Sequence, residues 1–372
     1  MEVKKERDTS LDIIRITALV LVITVHSFNI NGFYADQESG LIMLIATIFR
    51  TLAMSCVPLF MILSGFLLAN KTPDKKYFKG ILKTLGTYLL ASIACYVFKV
   101  FFLKETTFSI ASLIGGIFNF SAASYSWYIE MYIGMFLLAP FLNLAYRNLP
   151  TKKHKMLLLG IMLFLTSLPG IVNIFHFSVE GGAMSVNLLS NDGYLKITPD
   201  YWSALYPITY YFIGSFLREF PIKTKKLKLC IWLVIVSICS GLFGFMRSKN
   251  TQYVWGPWQN YGSLLIVAPS VLIFSIIYGC KFPKNSSLKK FLAKLSELCL
   301  GAYLLSYISD QITKSLLSSY PLGMEFRLKF LPIIIIVEVI ASFAMSFILK
   351  NIQNYGSRFI NWLFRGGEKN VQ

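Results

Sequence analysis

Residues 11–30 read Leu11-Asp12-Ile13-Ile14-Arg15-Ile16-Thr17-Ala18-Leu19-Val20-Leu21-Val22-Ile23-Thr24-Val25-His26-Ser27-Phe28-Asn29-Ile30, an apolar run in which Asp12, Arg15 and His26 are the ionisable residues. A helix needs roughly 20 mostly apolar residues to cross about 30 Å of hydrocarbon. The run is that long, and a second follows at Leu41–Leu68. Several runs of this length cannot all be buried in one water-soluble core. Composition agrees, because the 372-residue chain is 55% hydrophobic and 15% charged, whereas soluble domains are about a quarter charged. A large soluble helical protein is excluded on these grounds. Lys4, Lys5 and Arg7 precede the first run as in a secretory signal. Asp12 and Arg15 interrupt it, however, and no small-x-small cleavage pattern follows, so an uncleaved first span is expected.

Working outward, we read ten spans: Leu11–Ile30, Ile42–Leu68, Lys79–Leu103, Ser126–Tyr146, Met156–Phe177, Leu205–Phe220, Leu229–Met246, Tyr261–Cys280, Phe291–Leu317 and Leu328–Leu349. The apolar stretch Ser109–Phe120 is too short to cross and suits a re-entrant or interfacial helix. Basic residues mark alternate loops. They sit in the N-tail, at Lys71, Lys75 and Lys76, at Arg147 to Lys155, at Arg218 to Lys228, at Lys281 to Lys290, and in the C-tail from Lys350. Asn31–Gly40 has none and His176–Ala204 has Lys196 alone. The positive-inside rule then places both termini in the cytoplasm. The expected fold class is an all-α integral membrane protein of about ten transmembrane helices. It forms a single domain over 1–372, with short cytoplasmic tails at about 1–10 and 350–372.

The net charge of +18 invites a nucleic-acid reading, but the Lys and Arg residues cluster between apolar runs, where they set topology and meet anionic headgroups. No nucleic-acid partner is expected. The six cysteines lie in or at the ends of apolar spans without CxxC spacing and read as small buried hydrophobes. Three scattered histidines offer no metal-ligand spacing, so no metal is expected.

Each ionisable group inside a span costs several kcal/mol and asks for a reason. Asp12 and Arg15, three residues apart, suit an intrahelical structural pair. Arg15 and His26 are eleven residues apart, which places them about 16 Å apart along the helix and about 20° apart around it. They share a face and address opposite sides of the membrane. Such a pair fits a long anionic donor such as acyl-CoA, with Arg15 at the nucleotide head and His26 as a base for an acceptor hydroxyl.

The run from Leu11 to His26 resembles the opening span of the membrane acyltransferase 3 family, whose hallmark is an Arg, ten residues and a His. Val57-Pro58-Leu59-Phe60-Met61-Ile62-Leu63-Ser64-Gly65-Phe66 is similar to its second span. Trp127-Tyr128-Ile129-Glu130-Met131-Tyr132-Ile133-Gly134, continuing to Pro140 and Asn143, is similar to its fourth. Tyr206-Pro207 through Gly214 and Leu300-Gly301-Ala302-Tyr303 are similar to later ones. The resemblance covers nearly the whole chain and is nearest to members that O-acetylate cell-surface polysaccharides. It implies that Arg15 and His26 are the essential pair, with acetyl-CoA as cytoplasmic donor substrate. Where family members often carry Arg-x-x-Arg, this chain has Lys76-Tyr77-Phe78-Lys79 and then Lys83. These lysines can bind phosphate as point charges without the bidentate fork. Where many members end a Gly-x-Tyr motif with His, Leu305-Ser306-Tyr307 stands instead.

Glu130 enters from the outer end of its span at about the depth of His26, where a carboxylate can orient the imidazole or bind a sugar hydroxyl. Trp127, Tyr128 and Tyr132 near the same mouth suit substrate binding, although interfacial aromatic belts explain them equally well. Asp310 and Glu338 are intramembrane acids without an assigned role. The expected function is a multi-pass membrane O-acyltransferase of a plasma membrane, bacterial by resemblance. Its expected partners are the bilayer, acyl-CoA and a cell-surface glycan acceptor. The oligomeric state, the acceptor and the acyl chain are not readable. The alternative is a secondary transporter or exporter, for which intramembrane acids would carry protons.

Overall fold

The computed structural model describes residues 7–37, 39–180, 183–187, 196–280, 282, 286–319 and 323–367. The chain opens with α1 (Thr9–Ile30), started by the Asp8 side chain accepting from the Ser10 amide at 3.0 Å. There follow α2 (Gly40–Ala53), α3 (Cys56–Leu68), α4 (Lys75–Lys79), α5 (Ile81–Phe98), α6 (Ile110–Phe118) and α7 (Trp127–Arg147). The second half contains α8 (Lys152–Thr166), α9 (Pro169–Val172), α10 (Tyr206–Glu219), α11 (Lys226–Ser248), α12 (Leu264–Tyr278), α13 (Ser286–Ser318) and α14 (Met324–Gly367). Between α9 and α10 the chain forms a short antiparallel hairpin, β1 (His176–Glu180) with β2 (Ala183–Asn187), pairing His176 with Asn187 and Glu180 with Ala183. Among the described residues the fold is all-α apart from this hairpin, which falls in what the sequence marks as a loop.

Among the described residues, eight helical segments are long and apolar enough to cross a membrane: Thr9–Ile30, Gly40–Leu68, Lys75–Leu103, Trp127–Arg147, Lys226–Ser248, Pro257–Tyr278, Ser287–Ser318 and Phe326–Gly356. The other two stretches read as spans form α8 and α10, of 15 and 14 residues. At 1.5 Å per residue each is only about 22 Å long. Pro169 and Gly170 follow the C-terminal end of the first, in α9, and Pro207 opens the second. At a helix start proline costs little, because its missing amide hydrogen has no intrahelical partner there. The short α6 makes nine residues of helix, far less than a crossing, and Gly116 is its one fully buried residue.

The Gly40–Leu68 segment bends at Met54–Ser55, between α2 and α3. Pro58 explains the break, since it has no amide hydrogen and its ring collides with the carbonyl four residues earlier, that of Met54. A different device ends α5, where residues Lys99–Leu103 form a π-helical turn that closes at Lys104 with φ of 54°.

The centre of the bundle is α1, which packs against α2, α3, α12, α13 and α14. Ile14, Ala18, Leu19 and Ile23 are fully buried. The closest crossing joins α3 to α10. A Cβ built on Gly65 would lie 2.0 Å from the Tyr211 carbonyl oxygen, and one on Gly214 would lie 2.0 Å from that of Ile62. The two backbones touch there, as small residues permit in membrane bundles.

Candidate functional site

Along α1 the residues Arg15, Val22 and His26 recur at intervals of seven and four, so they form one stripe. Arg15 and Val22 both line a cavity of about 190 Å³. Its other walls include Ser64 of α3, Thr84 of α5, Tyr128 and Tyr132 of α7, and Tyr303 of α13. The cavity therefore runs from Arg15 along the stripe and ends one helical turn short of His26. It is narrower than typical ligand sites of about 300–1,000 Å³, which suits a slender chain rather than a nucleotide.

Arg15 is held from one side. Its Nη1 donates to Ser296 Oγ at 2.6 Å and lies 3.8 Å from Asp12 Oδ1. Asp12 is engaged more closely by Arg7, whose Nε and Nη2 donate to it at 2.9 and 2.8 Å. The Asp12–Arg15 pair is thus present but long, and Arg7 is the principal partner of Asp12. The remaining donors of Arg15 have no protein partner among the described residues, and its side chain keeps 30% exposure.

His26 stacks on Tyr125, with ring centroids 3.8 Å apart and planes 13° from parallel. Tyr125 lies in the turn that leads into α7, a residue that sequence reasoning passed over. It is clamped at both ends. Its hydroxyl donates to Asp310 Oδ2 at 2.6 Å, and its carbonyl accepts from the Tyr303 hydroxyl. One residue after His26, Ser27 donates to Glu338 Oε2. Asp310 and Glu338 are both fully buried, and one oxygen of each carboxylate has no hydrogen-bond partner among the described residues. The ring nitrogens of His26 accept or donate no hydrogen bond among the described residues. A stacked but otherwise free imidazole can take a proton from a bound hydroxyl.

The structure does not gather the other residues singled out in the sequence into one place. Tyr128 and Tyr132 line the cavity with Arg15. Trp127 faces another way and stacks on Tyr261, with centroids 5.7 Å apart and 22° between planes. Glu130 is exposed, and its side chain makes no ion pair or hydrogen bond among the described residues. It lies two residues from Tyr128, hence about 200° around α7 from that ring, and no described contact joins it to His26. The carboxylates that the structure does link to the His26 turn are Asp310, through Tyr125, and Glu338, through Ser27. Lys76, Lys79 and Lys83 are exposed and unpaired by any described acid, and Lys83 adjoins the cavity-lining Thr84. Asp74 caps α4 by accepting from the Tyr77 amide at 2.7 Å. That bond, with Lys76 nearby, holds its carboxyl below the usual range. Ser306 donates within its own helix to the Tyr303 carbonyl at 2.8 Å.

Among known proteins, the model of the acyltransferase 3 family, described as an acyltransferase domain, matches residues 8–350. No curated protein and no solved structure matches the chain.

Proposed function

We propose, since the chain belongs to the acyltransferase 3 family and so is a membrane acyltransferase, that it moves an acetyl group from cytoplasmic acetyl-CoA to a hydroxyl of an extracytoplasmic surface glycan. One observation supports this most directly. The cavity begins at Arg15 and follows the stripe of α1 that ends in His26. A pantetheine-like arm laid in it carries its thioester toward the imidazole while the nucleotide stays outside. There the free donors of Arg15 and the ammonium groups of Lys76, Lys79 and Lys83 bind its phosphates.

In the reaction the acceptor hydroxyl gives its proton to His26 as its oxygen forms a bond to the thioester carbonyl carbon. The tetrahedral intermediate then breaks its carbon–sulfur bond, and the imidazolium returns the proton to the leaving thiolate of coenzyme A. Tyr125 holds the imidazole face-on throughout. This reading has ten spans with both termini in the cytoplasm of a bacterial plasma membrane. The transfer assay is radiolabelled acetyl-CoA supplied to inverted membrane vesicles, with label counted on the lumenal glycan. Label confined to released acetate or absent from wild-type vesicles would defeat the donor or acceptor assignment.

Arg15→Met removes the charge at the cavity mouth and leaves His26 in place. The expected result is a rise of about tenfold or more in KM for acetyl-CoA with kcat changed far less, because a charge-assisted hydrogen bond contributes about 1.5–3 kcal/mol. An unchanged KM with a collapsed kcat would move Arg15 from binding to chemistry. The buried carboxylates Asp310 and Glu338 also suit a proton-coupled exporter. Acetyl-CoA consumption by the purified protein separates that reading from the enzyme.

A further inference from the structure

At the end of the bundle that carries His26, the end of α8 and the starts of α10 and α12 enclose a second cavity, of about 530 Å³. We infer that this cavity is an acceptor subsite and that it takes a saccharide. The inference rests on the glycan reading above and names where the glycan sits.

Size is the first argument, because this volume lies within the range of small-molecule sites and the cavity beside Arg15 does not. Chemistry is the second. The lining presents the Asn260 amide and the Ser203 hydroxyl, neither with a side-chain hydrogen bond among the described residues. At the rim Lys196 and Asp200 form an exposed ion pair at 2.9 Å. A ring bearing many hydroxyls needs donors and acceptors together, and an amide, a hydroxyl, a carboxylate and an ammonium supply both. The face of Tyr261 supplies a flat apolar wall for a sugar ring. An acyl chain would leave the amide, the hydroxyl and both charges unused.

Rigidity is the third argument. Asn173 Oδ1 accepts from the amides of Ile197 and Thr198, both at 2.9 Å, and its Nδ2 donates to the Thr198 carbonyl at 2.8 Å. That brace fixes the strand of chain entering the rim before any ligand arrives. Position is the fourth. Tyr261 lines this cavity and stacks on Trp127, whose neighbour Tyr128 lines the cavity that starts at Arg15. The wall of this cavity is thereby tied, through Trp127 at the start of α7, to the helix that lends Tyr128 and Tyr132 to the other.

The test fills the cavity from two walls, with Ser203→Trp and Asn260→Trp made separately in the full chain. Labelled acetyl-CoA is supplied to inverted vesicles, and glycan label, KM for acetyl-CoA and thermal midpoint are measured. The expected result is a loss of tenfold or more in glycan label, with KM for acetyl-CoA changed less than twofold and a wild-type melting curve. Undiminished label in both folded variants overturns the subsite. A second readout does not depend on transfer: thermal unfolding of the purified protein titrated with chitotriose or maltotriose. Saturable stabilisation that disappears in Asn260→Trp supports the subsite, even if wild-type vesicles acetylate no glycan and the acceptor reading fails. No saturation with either sugar, in a protein that labels no glycan, overturns it.

Discussion

His26→Ala is expected to lower acetyl transfer by about 10²–10⁴-fold, the usual contribution of a positioned general base. The protein should stay folded, because the lost side chain is half-buried and, among the described residues, its one ring contact is the stacking on Tyr125. Donor binding should survive as well, since the cavity wall at Arg15, Val22 and Tyr128 excludes His26. The expected signature is therefore a collapsed kcat with KM for acetyl-CoA nearly unchanged. The opposite split, a raised KM with kcat intact, would show that His26 belongs to the donor site. Full activity in a folded mutant would remove it from the chemistry altogether.

Tyr125 sharpens that expectation. The imidazole is held by a ring that is itself pinned through Asp310 and Tyr303, on a separate helix. Deleting the imidazole leaves this platform standing, so the loss should read as chemistry and not as collapse.

Much of α1 was legible in sequence because its information is local. The interval from Arg15 to His26 fixes rise and rotation within one helix, and the structure keeps both residues on one stripe. The place of Glu130 in the first turn of α7 was similarly readable, but azimuth was not. Which way a residue faces depends on how α7 packs, and Glu130 turns outward while Tyr128 and Tyr132 turn to the cavity. Asp310 and Glu338 were visible as intramembrane acids without a role, because their role is tertiary. It appears when α13 and α14 pack on α1 and bring one acid to Tyr125 and the other to Ser27. Tyr125 carried no periodic signal, being in a Ser- and Ala-rich turn at residues 121–126. An aromatic residue at a span mouth was the available hint. The break at Met54–Ser55 was implicit in Pro58, yet a hydropathy reading runs through it as one span. Glycines within the resembling segments are a mixed signal. Gly65 and Gly214 sit where backbone leaves no room for a Cβ, Gly301 faces side chains alone, that of Ser346 nearest, and Gly134 faces open space.

That contrast makes Gly214→Leu the second large-effect substitution, acting on fold where His26→Ala acts on chemistry. A Cβ at Gly214 would lie 2.0 Å from the Ile62 carbonyl oxygen and 2.7 Å from the Phe66 amide nitrogen, both backbone atoms that no rotamer change can move. Helices α3 and α10 must separate. Separation breaks the bond of Arg218 Nη1 to the Phe66 carbonyl at 2.6 Å, and it strains that of Tyr211 to Asn143 at 2.8 Å. Asn143 in turn donates to the carbonyls of Leu68 and Lys71 at 2.8 and 2.9 Å, so the disturbance reaches the end of α3. Overpacking usually costs about 1–3 kcal/mol and more where backbone must move, which is a large part of a typical stability of about 5–15 kcal/mol. The expected outcome is little or no folded Gly214→Leu protein after detergent extraction, and a clearly lowered thermal midpoint for Gly214→Ala. Gly134→Leu is the matched control, because nothing lies within 4 Å of its Cβ, and it should accumulate and melt like wild type. Normal yield and melting of Gly214→Leu would mean that α3 and α10 do not touch as described. Because α3 also lends Ser64 to the cavity wall, the residual activity of Gly214→Ala then reports how tightly that wall must be held for the donor arm to reach His26.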